Sequence, residues 1–261
     1  MANFTQLELI ATTASRILED KRTVIVGTGL PLIAALLAQR SHAPGLTMFF
    51  EAGGIGAKPS MLPVSVGEFR TFHKGIQATS MHTTMSNGQA GLIDYGFIGG
   101  AQIDQYGNLN STVIGSWEKP KVRFPGSGGA NDIGSWAWKT IVIMKQNEKK
   151  FVQELDFLTT PGYLEGSSAR ENVGLPKNTG PYRVVTQLGT YGFDDKCKKM
   201  KLLSLHPGVT VKEVKQNSSF KIIIPETVEK TDPPTPEEKR SLGEIDPYGV
   251  VLRKNKKTCP T

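Results

Sequence analysis

Cysteine is scarce in this chain. Only Cys197 and Cys259 occur among 261 residues, both in polar, lysine-rich surroundings. So few thiols exclude a disulfide scaffold and suit a reducing, cytoplasmic compartment. The four histidines, His42, His73, His82 and His206, lie in separate segments, and no Cys/His set has metal-ligand spacing, so no metal site is expected. Long apolar runs are also missing. Nothing approaches the roughly 20 residues needed to cross a bilayer. The N-terminus (MANFTQLELI) lacks a charged stretch followed by a long apolar core, so no signal peptide is expected. There is no G-x-S-x-G elbow, no Walker lysine and no complete G-x-G-x-x-G. These absences argue against serine-hydrolase triads, P-loop nucleotide hydrolysis and dinucleotide binding.

Glycine, by contrast, is abundant at 28 residues, much of it in short clusters beside polar residues, as tight turns near a site would need. The net charge is +7. Its densest lysines (Lys196, Lys198, Lys199, Lys201 and Lys254, Lys256, Lys257) lack interleaved aromatics or a groove-binding motif. They read as a solvated basic face and tail, without nucleic acid or a membrane as partner.

The hydrophobic pattern is that of an α/β protein. Thr5 and Glu8 form a capping-box pair, and Leu7, Ile10, Ala11, Ala14 and Ile17 follow helical spacing, which predicts a helix over 6–19. Thr23 to Val26 reads as a buried strand, Gly27 to Pro31 as its break, and Pro31 suits the first turn of a helix through about Gln39. Leu46 to Phe50 is a second strand. Strand, helix and strand at this spacing imply a βαβ unit with parallel pairing. Further along, residues 79–90 read as a weak helix, Leu92 to Ile98 and Ile141 to Met144 as strands. Glu154 to Leu158, Tyr182 to Gln187, Lys201 to Leu205 and Phe220 to Ile224 read as strands of a mixed region, with a short helix at Val211 to Lys215. Residues 225–240 are rich in proline and charge and read as a connector. The expected fold is an open, mostly parallel sheet flanked by helices with a mixed-strand C-terminal part. Residues 1–240 form one domain in this reading and 241–261 an extension that frays at its end.

Four strand ends attract attention, because ligands of open α/β sheets bind beyond the carboxyl ends of the strands. Glu51 directly follows an apolar strand and precedes Ala52-Gly53-Gly54. On position alone it is either a solvated turn residue or a carboxylate placed for chemistry, with the glycines admitting a ligand to the backbone. Gly27 and Gly29 form either a plain tight turn or an anion cradle at a helix start. Gly99 and Gly100 precede Gln102 and the segment Asp104 to Asn110 (DQYGNLN), which reads as a hairpin-like turn or as a set of orienting polar groups. Gly126 to Asn131 (GSGGAN), the densest cluster, is either a surface loop or a nest of backbone N–H groups that holds an oxyanion.

The ordered set VGTGLP (Val26–Pro31), Glu51-Ala52-Gly53, FIGGAQID (Phe97–Asp104), YGNLNST (Tyr106–Thr112) and GSGGAN resembles the B subunits of family I CoA-transferases, glutaconate CoA-transferase among them. The resemblance covers nearly the whole chain, with Thr160-Pro161-Gly162 and Glu244-Ile245-Asp246-Pro247 included. It implies ping-pong transfer of CoA between an acyl-CoA and a carboxylic acid, through a glutamyl-CoA thioester on Glu51. It places Gly128 and Gly129 in the loop that serves the tetrahedral oxyanions, and groups Gly27, Gly29, Gly99, Gly100 and Gln102 around the coenzyme. Coenzyme A is then a substrate, and no cofactor is expected. The partner it implies is an A-type subunit, in a heterotetramer or larger, without which this chain is inactive. Two departures leave the acid open: Glu-Ala-Gly stands where the glutaconate branch has Glu-Ser-Gly, and Ile55 to Ser60 (IGAKPS) differs from a glutaconate pocket. A decarboxylating branch carries cysteine in place of the glutamate, so Glu51 argues against it. Hydrolytic ring opening of an acyl-CoA and a non-catalytic partner role stay as alternatives.

Overall fold

The computed structural model describes residues 4–252. Cys259, Lys254, Lys256 and Lys257, and with them the expected fraying of the tail, lie outside the described residues. The chain forms two compact units. One holds the residues up to Thr84 together with those from Pro233 onward, and the other holds Met85–Asp232.

In the first unit, helix α1 (Gln6–Ser15) opens with the expected capping box: Thr5 Oγ1 accepts from Glu8 N at 3.2 Å, and Glu8 Oε2 accepts from Thr5 N at 2.8 Å. It stops four residues short of the predicted end. Ile17 N and Leu18 N donate to Ala14 O and Ser15 O in a tighter turn, while Arg16 is drawn to Glu238 and to Pro233 O. Strand β1 (Thr23–Val26), helix α2 (Leu30–Arg40, with Pro31 in its first turn) and strand β2 (Thr47–Phe50) are the expected βαβ unit, with β1 and β2 parallel. Leu32 to Ala38 of α2 are all buried, so this helix is covered nearly all round and is the centre of its unit's core. Truncating Leu36 there to alanine should cost about 2–5 kcal/mol. The short strands β3 (Gly54–Ile55) and β4 (Gln77–Ala78) add on antiparallel, giving the order β1-β2-β3-β4.

After α3 (Met81–Gln89) comes the second unit: β5 (Tyr95–Ile98), the hairpin β6 (Gln102–Ile103) and β7 (Leu109–Asn110), the hairpin β8 (Val113–Gly115) and β9 (Pro120–Arg123), α4 (Ala130–Trp136), β10 (Lys139–Ile143) and α5 (Ala169–Asn172). Then follow β11 (Pro181–Val185), β12 (Gly189–Phe193), β13 (Met200–Leu205), α6 (Val211–Gln216) and β14 (Glu229–Lys230). Strands β5, β10 and β11 are parallel, β11, β12 and β13 antiparallel, and β13 and β14 parallel again. The chain then returns to the first unit in α7 (Pro236–Ile245). The class is α/β as expected, with parallel strands, flanking helices and a mixed C-terminal part.

Three local expectations fail for physical reasons. Glu154 to Leu158 forms no strand, because Asp156 N donates to the side chain of Gln102, not to a ladder. Phe220 to Ile224 makes a single bridge, Ile223 with Lys201. The connector over 225–240 contains the start of α7, whose Thr235 and Glu238 form a capping box with Pro236 in the first turn. No helix among the described residues is long and apolar enough to cross a membrane, and no group of three His, Cys, Asp or Glu residues there could hold a metal.

Candidate active site

Glu51 follows the last residue of β2. The register Val26↔Phe50 brings Gly27 and Glu51 out side by side, one residue beyond the paired ends of neighbouring parallel strands, which lie about 4.8 Å apart. The Glu51 side chain is half-buried and accepts no hydrogen bond among the described residues. Its turn is tightly held: Gly53 N donates to Phe50 O at 2.9 Å, Thr79 N donates to Gly53 O at 2.9 Å, and the buried Thr84 hydroxyl donates to Phe50 O at 3.4 Å. Gly53 sits at φ +117°, and a Cβ there would collide with the Thr79 carbonyl; one on Gly54 would collide with the Thr71 carbonyl. These two glycines are therefore required by the close approach of the chain's own backbone. Gly27 and Gly29 have open space where a Cβ would stand, and Gly29 at φ +85° turns the chain into α2.

In the second unit, Gly99 and Gly100 follow β5, beside the end of β10 (register Ile98↔Val142). With Gly126, Phe124, Lys149 and Lys150 they line a cavity of about 570 Å³. Phe124 and Ile114 supply its apolar wall, and the lysines, on the turn after β10, supply positive charge.

The Gly126–Asn131 loop is anchored from both sides. Ser111 Oγ donates to Gly126 O at 3.1 Å and Gly126 N to Ser111 O at 3.2 Å. Asn131 N donates to Ser127 Oγ at 2.9 Å, and Asn131 Nδ2 to Thr159 O at 2.9 Å. Gly128, at φ +50°, has open space around its Cα. The N–H groups of Gly128 and Gly129 donate to nothing among the described residues.

Gln102 sits apart from that cavity's lining. It is buried in the β6–β7 hairpin, where Nε2 donates to Asp156 Oδ2 at 3.1 Å, and Oε1 accepts from Asn110 Nδ2 at 2.7 Å and Asp156 N at 3.1 Å. Asp104 closes the turn by accepting from Tyr106 N, Asn108 N and Asn108 Nδ2. Burial pushes its carboxyl above the usual carboxylate range, against the pull of those donors. Of the histidines, His42, His73 and His82 are exposed. His206 is buried, with Nε2 2.9 Å from Thr186 O and Nδ1 3.0 Å from the Thr231 hydroxyl, and burial lowers its pKa.

The structure thus pairs Glu51 with the Gly27 turn, and gathers Gly99, Gly100 and Gly126 around one cavity. Sequence reasoning passed over Lys149, Lys150 and Ser111. The lysines had a usable signal, since they stand in the loop beyond a strand's carboxyl end.

Known proteins carry the same pattern. The family model described as Coenzyme A transferase matches residues 7–217. The chain is 38% identical over 253 residues to the B subunit of 3-oxoadipate CoA-transferase from Pseudomonas knackmussii, covering 94% of this chain and 95% of that one. It is 38% identical to the B subunit of glutaconate CoA-transferase from Acidaminococcus fermentans over 257 residues, covering 96% of each. The crystal structure of glutaconate coenzyme A-transferase from that organism superposes with a TM-score of 0.92 at 35% identity, over 97% of this chain and 99% of that one. More distant is the cholesterol ring-cleaving hydrolase IpdB subunit of Rhodococcus jostii, 27% identical over 85% of this chain and 83% of that one. This chain belongs to the coenzyme A transferase family, as a B subunit of the glutaconate and 3-oxoadipate type.

Proposed function

We propose that Glu51 carries the transfer. Its carboxylate attacks the carbonyl carbon of an acyl-CoA thioester, the C–S bond breaks, and a mixed anhydride and CoA thiolate form. The thiolate attacks the Glu51 carbonyl carbon and releases the first acid as its carboxylate, leaving a glutamyl-CoA thioester. An acceptor carboxylate then runs the same two steps in reverse, takes the CoA and frees Glu51. The observation that carries this reading is a half-buried carboxylate, without a hydrogen-bond partner among the described residues, at the carboxyl end of β2, which pairs in parallel with β1. The free N–H groups of Gly128 and Gly129 suit the tetrahedral oxyanions. The cavity at Gly99, Gly100 and Gly126 suits the coenzyme, with apolar walls for the pantetheine arm and Lys149 and Lys150 for phosphate. Coenzyme A is a substrate here, and the steps need no further cofactor.

The names of the two 38%-identical relatives point to CoA esters of short dicarboxylic acids as substrates. Their description as B subunits supports an A-type partner, and the assembly proposed for the pair is a heterotetramer or larger. Exposed apolar residues fit a partner: Phe69 (77% exposed) and Ile76 (79%) lie in the segment leading to the exposed edge strand β4.

The test is to incubate the complex of this chain and its A-type partner with glutaconyl-CoA or 3-oxoadipyl-CoA, reduce with borohydride and map the mass change. A modified Glu51 is expected; an active complex without it overturns the covalent mechanism. The ring-cleaving relative supports a second reading, hydrolysis without an acceptor acid. Turnover that needs no added acid, with no adduct on Glu51, would establish it.

A further inference from the structure

Arg170 is a buried cation with no anion paired to it among the described residues. Only 2% of it is exposed, and no carboxylate among the described residues forms an ion pair with it. Its guanidinium donates to neutral oxygens alone: Nη1 to Pro161 O (3.1 Å) and Gly162 O (2.9 Å), Nη2 to Gly134 O (2.7 Å) and Ser135 O (2.9 Å), and Nε and Nη2 to Thr179 Oγ1 (3.2 and 3.0 Å). Burying an unpaired charge is costly unless its hydrogen bonds are all met, and a well-packed apolar residue would serve stability as well or better. Burial lowers its pKa to about 10, which leaves it charged at neutral pH.

What the fork holds is specific. Gly134 and Ser135 are in the last turn of α4, the helix that directly follows Gly128 and Gly129. The other pair of acceptors ends the segment 159–162, whose first carbonyl, Thr159 O, receives Asn131 Nδ2 from the opposite end of α4. Helix α4 is thus tied to one segment at both ends, by Asn131 beside the glycine loop and by Arg170 about 5 Å further along the helix. A seven-residue helix held at one end alone can tilt, and tilting it moves the loop.

We propose that Arg170 is a positioning residue for CoA transfer: by clamping the last turn of α4 to the Pro161–Gly162 turn, it sets where the N–H groups of Gly128 and Gly129 point. The inference rests on the reading that those N–H groups serve the oxyanions. Lysine keeps the charge but offers its donors from one atom, so it cannot span both pairs of carbonyls.

The experiment compares Arg170→Lys, Thr179→Val and Thr210→Ala in the complex with the A-type partner. Thr210 caps the distant helix α6, so its variant loses stability without touching the clamp. Misplaced catalytic groups lose rate steeply. Arg170→Lys should lower kcat about 10- to 100-fold with KM for acyl-CoA within about threefold of wild type. Hydrogen exchange at the amides of residues 128–131 should quicken. Thr179→Val, which removes the acceptor of Nε, should shift both readouts in the same direction by less, and it decides the matter if Arg170→Lys does not fold. Thr210→Ala should lower Tm and leave kcat unchanged. If the Arg170 and Thr179 variants lower Tm but keep wild-type kcat and exchange, the inference falls, while an adduct on wild-type Glu51 would leave the transfer mechanism standing. If wild type forms no adduct, the mechanism falls, and the exchange rates still show whether Arg170 fixes the loop.

Discussion

The turn after Glu51 and the loop from Gly126 to Asn131 look alike in composition and differ in physics. Around Gly53 and Gly54 the chain's own carbonyls, from Thr79 and Thr71, fill the space that a side chain would need. Around Gly126 and Gly128 that space is open, and the loop is held by the side chains of Ser111, Ser127 and Asn131. Glycine is demanded by crowding in the first case. In the second it leaves backbone N–H groups uncovered. A glycine-rich string therefore does not by itself say whether it packs or binds; what stands beside each missing Cβ does.

Substitutions separate the two roles. The largest effect is expected at Glu51→Ala, which should lower transfer by about a thousandfold or more while leaving Tm within a few degrees, measured on the intact complex. Gly53→Ala comes next and strikes the fold: the collision and the left-handed backbone together should cost about 3 kcal/mol or more, read as a drop in urea midpoint. Gly128→Ala meets no neighbour, so its cost in stability should be about 1–2 kcal/mol from φ alone, with kcat falling about tenfold or more. A Gly128→Ala enzyme with wild-type kcat, or a Gly53→Ala enzyme of wild-type stability, would break the contrast. The smallest effect concerns pH. The pKa of His206 is lowered by burial from 6.5, so the unfolded chain binds a proton more readily than the folded one. Stability should fall as pH drops below about 6.5, and His206→Gln should flatten that part of a urea-midpoint curve between pH 7.5 and 5.5.

Local signals that agreed with tertiary packing were legible. The Thr5–Glu8 box, the β1–α2–β2 unit and Glu51 at the strand end all follow from short-range chemistry. The same capping signature at Thr235–Glu238 was obscured by Pro233 and Pro234, so α7 read as connector. Strand β12 escaped because Gly189 and Gly192 argue against a strand, although Gly189 is there to let the Ser204 carbonyl approach. Glu154 to Leu158 reads as a strand, but the polar atoms of Gln102 and Asp156 capture one another instead. Arg170 was invisible, because a charged residue in a short polar helix reads as surface, and only the convergence of carbonyls from two segments and of the Thr179 hydroxyl buries it.

Because Glu51 lies past the last rung of the β1–β2 ladder and its side chain forms no hydrogen bond among the described residues, the scaffold is nearly indifferent to which side chain stands there. Gly53, two residues on, tolerates no such exchange. The position that decides the chemistry is thus mechanically uncoupled from those that decide the architecture. A lineage or a designer could install a different nucleophile or base at 51 and inherit the rest of the site unchanged.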